Sequence, residues 1–400
     1  MSVADKRKSI RNAVLIGGMC TISYLAVYLT RNILSAVSPQ LIQNQIFSTE
    51  QIGSFSSLYF VTYAVGQLIN GAIGDKIKAK YMISLGLILA GLCTLIFPLL
   101  AGVSNAAYIA YGATGFFLSM IYGPMTKVVA ENTEPIYATR CSLGYTFASF
   151  FGSPLAGLLA MLFAWQGVFR VSSVVLLFMG SLCFLSFSIY EKKGIIRSNQ
   201  YLKTREKGGN IRVLIEHQII KFTMISVVTG VVRTTVVFWL PTYLAQYLGF
   251  GAEQSAFIYT IATLVISATA FIAVFVYERL NRNLDLTVLL AFISATVFFA
   301  AAYLIRQPVL NIIFLVAAIM SSNSAASMLW SRYCPSLRDT GMVSSATGFL
   351  DFISYSSASV SSTLFANSVS VIGWKGLILI WLALMVFGVM ISLPYRKKKN

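Results

Sequence analysis

Residues 81–103 read YMISLGLILAGLCTLIFPLLAGV, a run of 23 positions without a charged side chain. A helix needs about 20 such residues to cross the hydrocarbon of a bilayer. Similar runs recur along the chain. Hydrophobic residues make up 57% of its 400 positions and charged residues 11%, less than half of the roughly 25% usual in a soluble domain. The runs are too long and unbroken for the short alternating strands of an outer-membrane barrel. The chain therefore reads as an all-α polytopic membrane protein with about twelve crossings. Helices are expected at roughly 12–37, 51–74, 81–103, 105–130, 140–163, 167–190, 219–247, 254–278, 285–305, 308–331, 342–368 and 374–394.

The net charge of +17 suggests a nucleic-acid partner until the basic residues are placed. They lie in the tails, a central polar stretch and short loops: Lys6, Arg7, Lys8 and Arg11, then Lys76, Lys78 and Lys80, then Arg140, Arg279, Arg282, Arg332 and Arg338, then Arg396 to Lys399. The alternate loops hold Arg170, Arg306 and Lys375. This is a topology signal, with no phosphate footprint for nucleic acid, and it puts both termini in the cytoplasm of a cell-membrane protein in contact with lipid. The first apolar run is long enough to span, so no cleavable signal peptide is expected.

Three short patterns recur at an offset of about 200 residues. Arg31 precedes Pro39 by eight positions, as Arg233 precedes Pro241. Gly71-x-x-x-Asp75-Lys76 ends the second helix, and Val274-x-x-x-Glu278-Arg279 ends the eighth. Trp165-Gln166-Gly167 opens the sixth helix, and Trp374-Lys375-Gly376 the twelfth. Two parallel repeats follow: a six-helix bundle over 1–190, a linker over 191–218 and a second bundle over 219–400. This arrangement resembles the major facilitator fold.

No enzyme chemistry is legible. His217 is the only histidine, and the five cysteines have neither metal spacing nor a disulfide pattern, so no metal or cofactor is expected. The informative residues are ionisable groups inside apolar helices, each costing about 2.5–3.5 kcal/mol on insertion scales. They are Arg31, Lys127, Arg233 and Asp351. Three cations against one acid make an anion-attracting cavity. The planar fork of arginine suits phosphate or carboxylate, and two arginines at matching places in two repeats are expected to share one mid-membrane site. Snorkelling arginines and a structural ion pair for Asp351 are the plainer alternatives. Tyr24, Tyr28 and Arg31 share one helix face, as Tyr63 and Gln67 do, and their polar groups are candidates for binding the ligand.

Tyr24-x-x-x-Tyr28-x-x-Arg31, Arg233 followed by Trp239-Leu240-Pro241-Thr242-Tyr243, and Tyr63-x-x-Gly66 before Gly71-x-x-x-Asp75 resemble the signature of the organophosphate:phosphate antiporters. The resemblance implies a monomeric transporter that exchanges a phosphorylated metabolite for inorganic phosphate. Arg31 and Arg233 would grip the phosphoryl group, while Asp75, Lys76, Glu278 and Arg279 would form a cytoplasmic gate. Asn32 stands where those transporters often carry lysine, and Phe238 where they carry an acid. Two alternatives remain open at this level. One is a proton-coupled organic-anion symporter, for which Asp351 is the deeply placed titratable group. The other is a sugar-phosphate receptor built on a transport fold.

Overall fold

The structure is a computed structural model and describes residues 3–74, 77–196, 215–337 and 343–393. Its elements are helical. α1 is Val3–Gln43, α2 Thr49–Gly74 and α3 Ala79–Ile96. α4 comes in two pieces, Ser104–Leu118 and Tyr122–Asn132, followed by α5, Pro135–Leu162, and α6, Trp165–Lys192. α7 runs Ile219–Gly230, passes through a π turn at Val231–Val236 and resumes as Val237–Gln246. α8 is broken at Ala268 into Ala252–Ser267 and Thr269–Arg279. α9 is Leu284–Leu304, and α10 is Pro308–Met328, extended by a second π turn at Leu329–Tyr333. The last helical stretch, Val343–Ser392, is divided by Gly373 into α11 (343–372) and α12 (374–392). Nine stretches of the described residues are long and apolar enough to cross a membrane. One of them holds both α11 and α12, and α4 and α5 complete the expected twelve.

Local chemistry fixes several ends. Ser48 and Gln51 form a reciprocal capping box ahead of α2, Gln51 N–H donating to Ser48 Oγ and Ser48 N–H to Gln51 Oε1. Asn283 caps α9 and Gln307 caps α10. Proline opens α5 and α10, where its missing N–H costs nothing. Gly373 has φ 68° and ψ 177°, a backbone region essentially restricted to glycine. Phe365 and Trp381 each lie eight positions from it, with ring centroids 6.0 Å apart. The chain therefore folds back on itself at one residue.

The chain divides into two compact units, Met1–Leu202 with Phe250–Leu264, and Lys203–Gly249 with Val265–Asn400. The first part of α8 thus groups with the first unit. There Gly157 of α5 lies against Thr260 and the backbone of Ala256.

Lipid offers no hydrophobic drive between helices, so small residues and short hydrogen bonds hold the bundles. In the first unit, Gly17, Thr21 and Tyr28 of α1 lie against Cys141, Gly144 and Gly152 of α5. Thr62 of α2 donates to Gly112 O of α4 (2.7 Å), Ser173 of α6 to Gly91 O of α3 (2.8 Å), and Thr30 shares a hydrogen bond with Ser172 (2.7 Å). In the second unit, Ser226 Oγ donates to Leu350 O (2.8 Å), Gly230 lies against Ser354, and Thr235 Oγ1 donates to Ala358 O (3.0 Å). α7 and α11 are joined along this line. Asn311 at the start of α10 donates to Ala302 O and Ile305 O at the end of α9, and accepts from Tyr243 of α7.

Candidate functional site

Arg31 lies on the buried side of α1 and is itself only half-buried. Its guanidinium carbon is 5.3 Å from the ring centres of Tyr28 and Phe60 and 5.7 Å from that of Tyr63. Three π faces stabilise the cation while leaving its positive charge in place. The α-helical period sets this arrangement: Tyr28 is three residues before Arg31 on α1, and Phe60 three before Tyr63 on α2. Tyr63 is 2% exposed, and Gln67 follows one turn on, half-buried. Asn32, where the resemblance expects lysine, donates to the carbonyl of Tyr28 (2.6 Å).

One turn below, Tyr24 packs its ring against Tyr28 (5.0 Å), Tyr122 of α4 (5.5 Å) and Tyr145 of α5 (6.2 Å). Tyr24, Tyr28, Arg31 and Tyr63 are thus brought into one connected aromatic cluster. Phe60, Tyr122 and Tyr145 belong to it and were not among the expected residues. For Phe60 the signal was its three-residue spacing from Tyr63. Lys127 is half-buried on the second piece of α4.

Arg233 is placed differently. It is the half-buried member of the π turn Val231–Val236, and the other five residues of that turn are buried. No ring, carboxylate or hydrogen-bond acceptor among the described residues of its unit holds its guanidinium. Asp351 is half-buried on α11. Ser226 meets Leu350 and Gly230 meets Ser354, so Asp351 sits about 8 Å below the level of Arg233 at 1.5 Å per residue. Its negative charge is felt instead by Cys334, just past α10. Burial pushes that thiol up, a hydrogen bond from Thr347 opposes the shift, and Asp351 adds to it.

The expected gate is only partly visible. Asp75 and Lys76 lie outside the described residues. Glu278 and Arg279 are exposed at the end of α8, with Arg279 5.2 Å from the Phe275 ring. Ion pairs form elsewhere. Lys80 binds Glu191 at 2.6 Å, with Lys78 at 3.8 Å, joining the start of α3 to the end of α6. Lys221 binds Asp285 at 2.9 Å and approaches Ser392 O at 3.4 Å, joining the starts of α7 and α9 to the end of α12. Among the described residues no group of histidine, cysteine and acidic side chains is arranged to hold a metal ion.

Residues 20–362 match the family described as Major Facilitator Superfamily. Among curated proteins, the chain is 30% identical over 76 residues to the membrane sensor protein UhpC of Escherichia coli (strain K12), covering 19% of this chain and 17% of the sensor. It is 25% identical over 282 residues to the glycerol-3-phosphate transporter of Bacillus subtilis (strain 168), covering 65% and 62%. It is 22% identical over 388 residues to the phosphoglycerate transporter protein of Salmonella typhimurium, covering 89% and 82%. The first two alignments thus span less than two thirds of those relatives. Among solved structures, a bacterial homologue of the human lysosomal transporter Spinster, inward-facing and unoccupied, superposes with a TM-score of 0.77 at 13% identity, over 95% of this chain and 96% of that one.

Proposed function

This chain belongs to the major facilitator superfamily, and from that premise we propose that it exchanges a small phosphorylated metabolite for inorganic phosphate by alternating access. It is a multi-pass membrane transporter rather than an enzyme. In the proposed mechanism two six-helix bundles rock about one anion site, with both termini on the cytoplasmic face. Arg31 and Arg233 bind the phosphoryl group. Tyr24, Tyr28, Tyr63, Gln67 and Lys127 line its path, and Asp75, Lys76, Glu278 and Arg279 act in the inner gate.

The observation that carries this reading is the state of the two arginines. Arg31 is steadied by rings that leave its charge in place, and Arg233 has no carboxylate beside it among the described residues of its own unit. A guanidinium at this depth costs several kcal/mol to insert unless a partner or water meets it. At Arg233 an incoming phosphate dianion supplies that partner, and at both arginines it gains charge-assisted hydrogen bonds. Phosphate-class names among the relatives support the same substrate class.

The test is exchange in vesicles holding the purified protein. Uptake of labelled inorganic phosphate should accelerate when unlabelled phosphate is loaded inside, and phosphorylated metabolites outside should compete with it. Uptake that follows an imposed pH gradient, ignores internal phosphate and is lost in Asp351→Asn would replace exchange with proton-coupled organic-anion symport. Saturable binding of a sugar phosphate without any flux would favour a receptor, the class of the sensor relative.

A further inference from the structure

The line along which α7 meets α11 contains a counting mismatch. On α11 the contact points are Leu350, Ser354 and Ala358, four residues apart each time and so on one helical stripe. On α7 they are Ser226, Gly230 and Thr235, spaced four and then five. The second interval holds one residue too many, and it coincides with the π turn. There the Val237 N–H reaches back five residues to Val232 O. Thr235 pins the far end of the turn, donating to Ala358 O and sharing a second hydrogen bond with Ser361 Oγ at 3.0 Å. The corresponding line in the first unit has no such excess. From Gly17 to Tyr28 on α1, and from Cys141 to Gly152 on α5, the count is equal.

We propose that Thr235 and the surplus residue of this turn are the positioning element of Arg233, setting the direction in which its guanidinium points. The proposal rests on the reading of Arg233 as an anion ligand. In an α-helix three residues wind about 300°, which would return Arg233 to within about 60° of the Gly230 line and toward α11. A turn that spreads an extra residue over the same revolution rotates each residue less, so Arg233 stays farther round from α11. Such single π turns occur often at functional sites. Thr235 does not touch the ligand. It anchors the turn so that Arg233 can.

Deleting Thr234 leaves Arg233 three residues after Gly230, restores a four-residue step to Thr235 and keeps every seam partner. The full-length Arg233→Cys variant, purified in detergent, reports the direction through its rate of reaction with a charged thiosulfonate reagent, followed on the peptide containing position 233. With Thr234 also deleted, that rate should fall at least tenfold while elution and melting temperature hold. Thr235→Val keeps the chain length and removes both anchoring hydrogen bonds, so it should lower the rate several-fold. It decides the matter alone if the deletion variant does not fold. Rates within twofold of the Arg233→Cys parent in the folded variants would overturn the proposal. A separate arm measures stabilisation by inorganic phosphate in Arg233→Lys on the otherwise intact chain. If that stabilisation is undiminished, the anion-ligand reading of Arg233 fails, whatever the labelling says about the turn.

Discussion

Arg31 and Arg233 stand eight residues before a proline in matching helices of the two repeats, yet they are held by different means. Side chains hold Arg31. Tyr28 comes from its own helix, Phe60 and Tyr63 from the next, and α1 keeps equal residue counts with α5. Backbone holds Arg233. Its helix carries one residue more than α11 between shared contact points, and no ring lies over its guanidinium among the described residues. The two ion-pair clamps differ as well, in where the charges sit. The first turn of α3 offers Lys80 to Glu191, while that of α9 offers Asp285 to Lys221. A repeat can therefore preserve the place of a charge while the surrounding support is rebuilt.

The largest expected effect tests whether the two arginines are equivalent in function. Arg31→Lys and Arg233→Lys keep the charge and lose the fork. Each should weaken phosphate binding by about 1.5–3 kcal/mol, the worth of a hydrogen bond to a charged group, or roughly 10- to 150-fold. Titration calorimetry reads this directly. A loss in only one variant would make the comparison one of ligand against bystander, and no loss in either would show that both arginines merely snorkel.

Next come the two seams. An added methyl at Gly152 overlaps the backbone of Tyr28, and one at Gly230 overlaps that of Ser354. Gly152→Ala and Gly230→Ala should each destabilise by about 1–3 kcal/mol, the usual cost of overpacking, as read by thermal unfolding in detergent. The π turn gives α7 more room to adjust, so Gly230→Ala should be the milder of the pair. The reverse order would mean that the π turn is the stiffer element.

Phe60→Leu removes one ring from Arg31 while preserving bulk. A loss of about 0.5–2 kcal/mol in phosphate affinity is expected from the missing cation–π contact. No single aromatic substitution within the second unit should act on Arg233 in this way. Unchanged affinity would reduce Phe60 to packing. The smallest effect belongs to the clamps. Lys80→Met and Lys221→Met should each change stability by less than about 1 kcal/mol, and less again at high salt, because the acids Glu191 and Asp285 are partly open to solvent.

The membrane-spanning pattern was legible because an uncharged stretch such as 81–103 admits few other folds in water or lipid. Arg31 with Tyr28, and Tyr63 with Gln67, were legible because each pair shares one face of its own helix. Phe60 was hidden among 28 phenylalanines, since its three-residue spacing from Tyr63 is a weak mark that does not by itself distinguish a ring under a guanidinium from one in lipid. The break of α4 at 119–121 was also missed, although its mark is in the sequence: Pro124 has no N–H to give the carbonyl of Met120 four residues earlier, and Gly123 precedes it. The π turn had a faint mark. Val231-Val232-Arg233-Thr234-Thr235-Val236-Val237 is crowded with β-branched residues, which sit poorly in an α-helix. The mismatch it accompanies is with the residue count on α11, more than a hundred positions away, which no local window contains.

Gly373 has a mechanical consequence. Two long helices that reverse over one residue share a joint with no slack, so α11 cannot tilt without pulling the top of α12. Trp374, immediately beyond the joint, is fastened through its indole N–H to Gln246 of α7 at 3.0 Å. The end of α7, the joint and α12 are thereby geared together. A side chain at 373 would strain the bearing, and an epitope inserted there would lengthen the crank and let the helices slip.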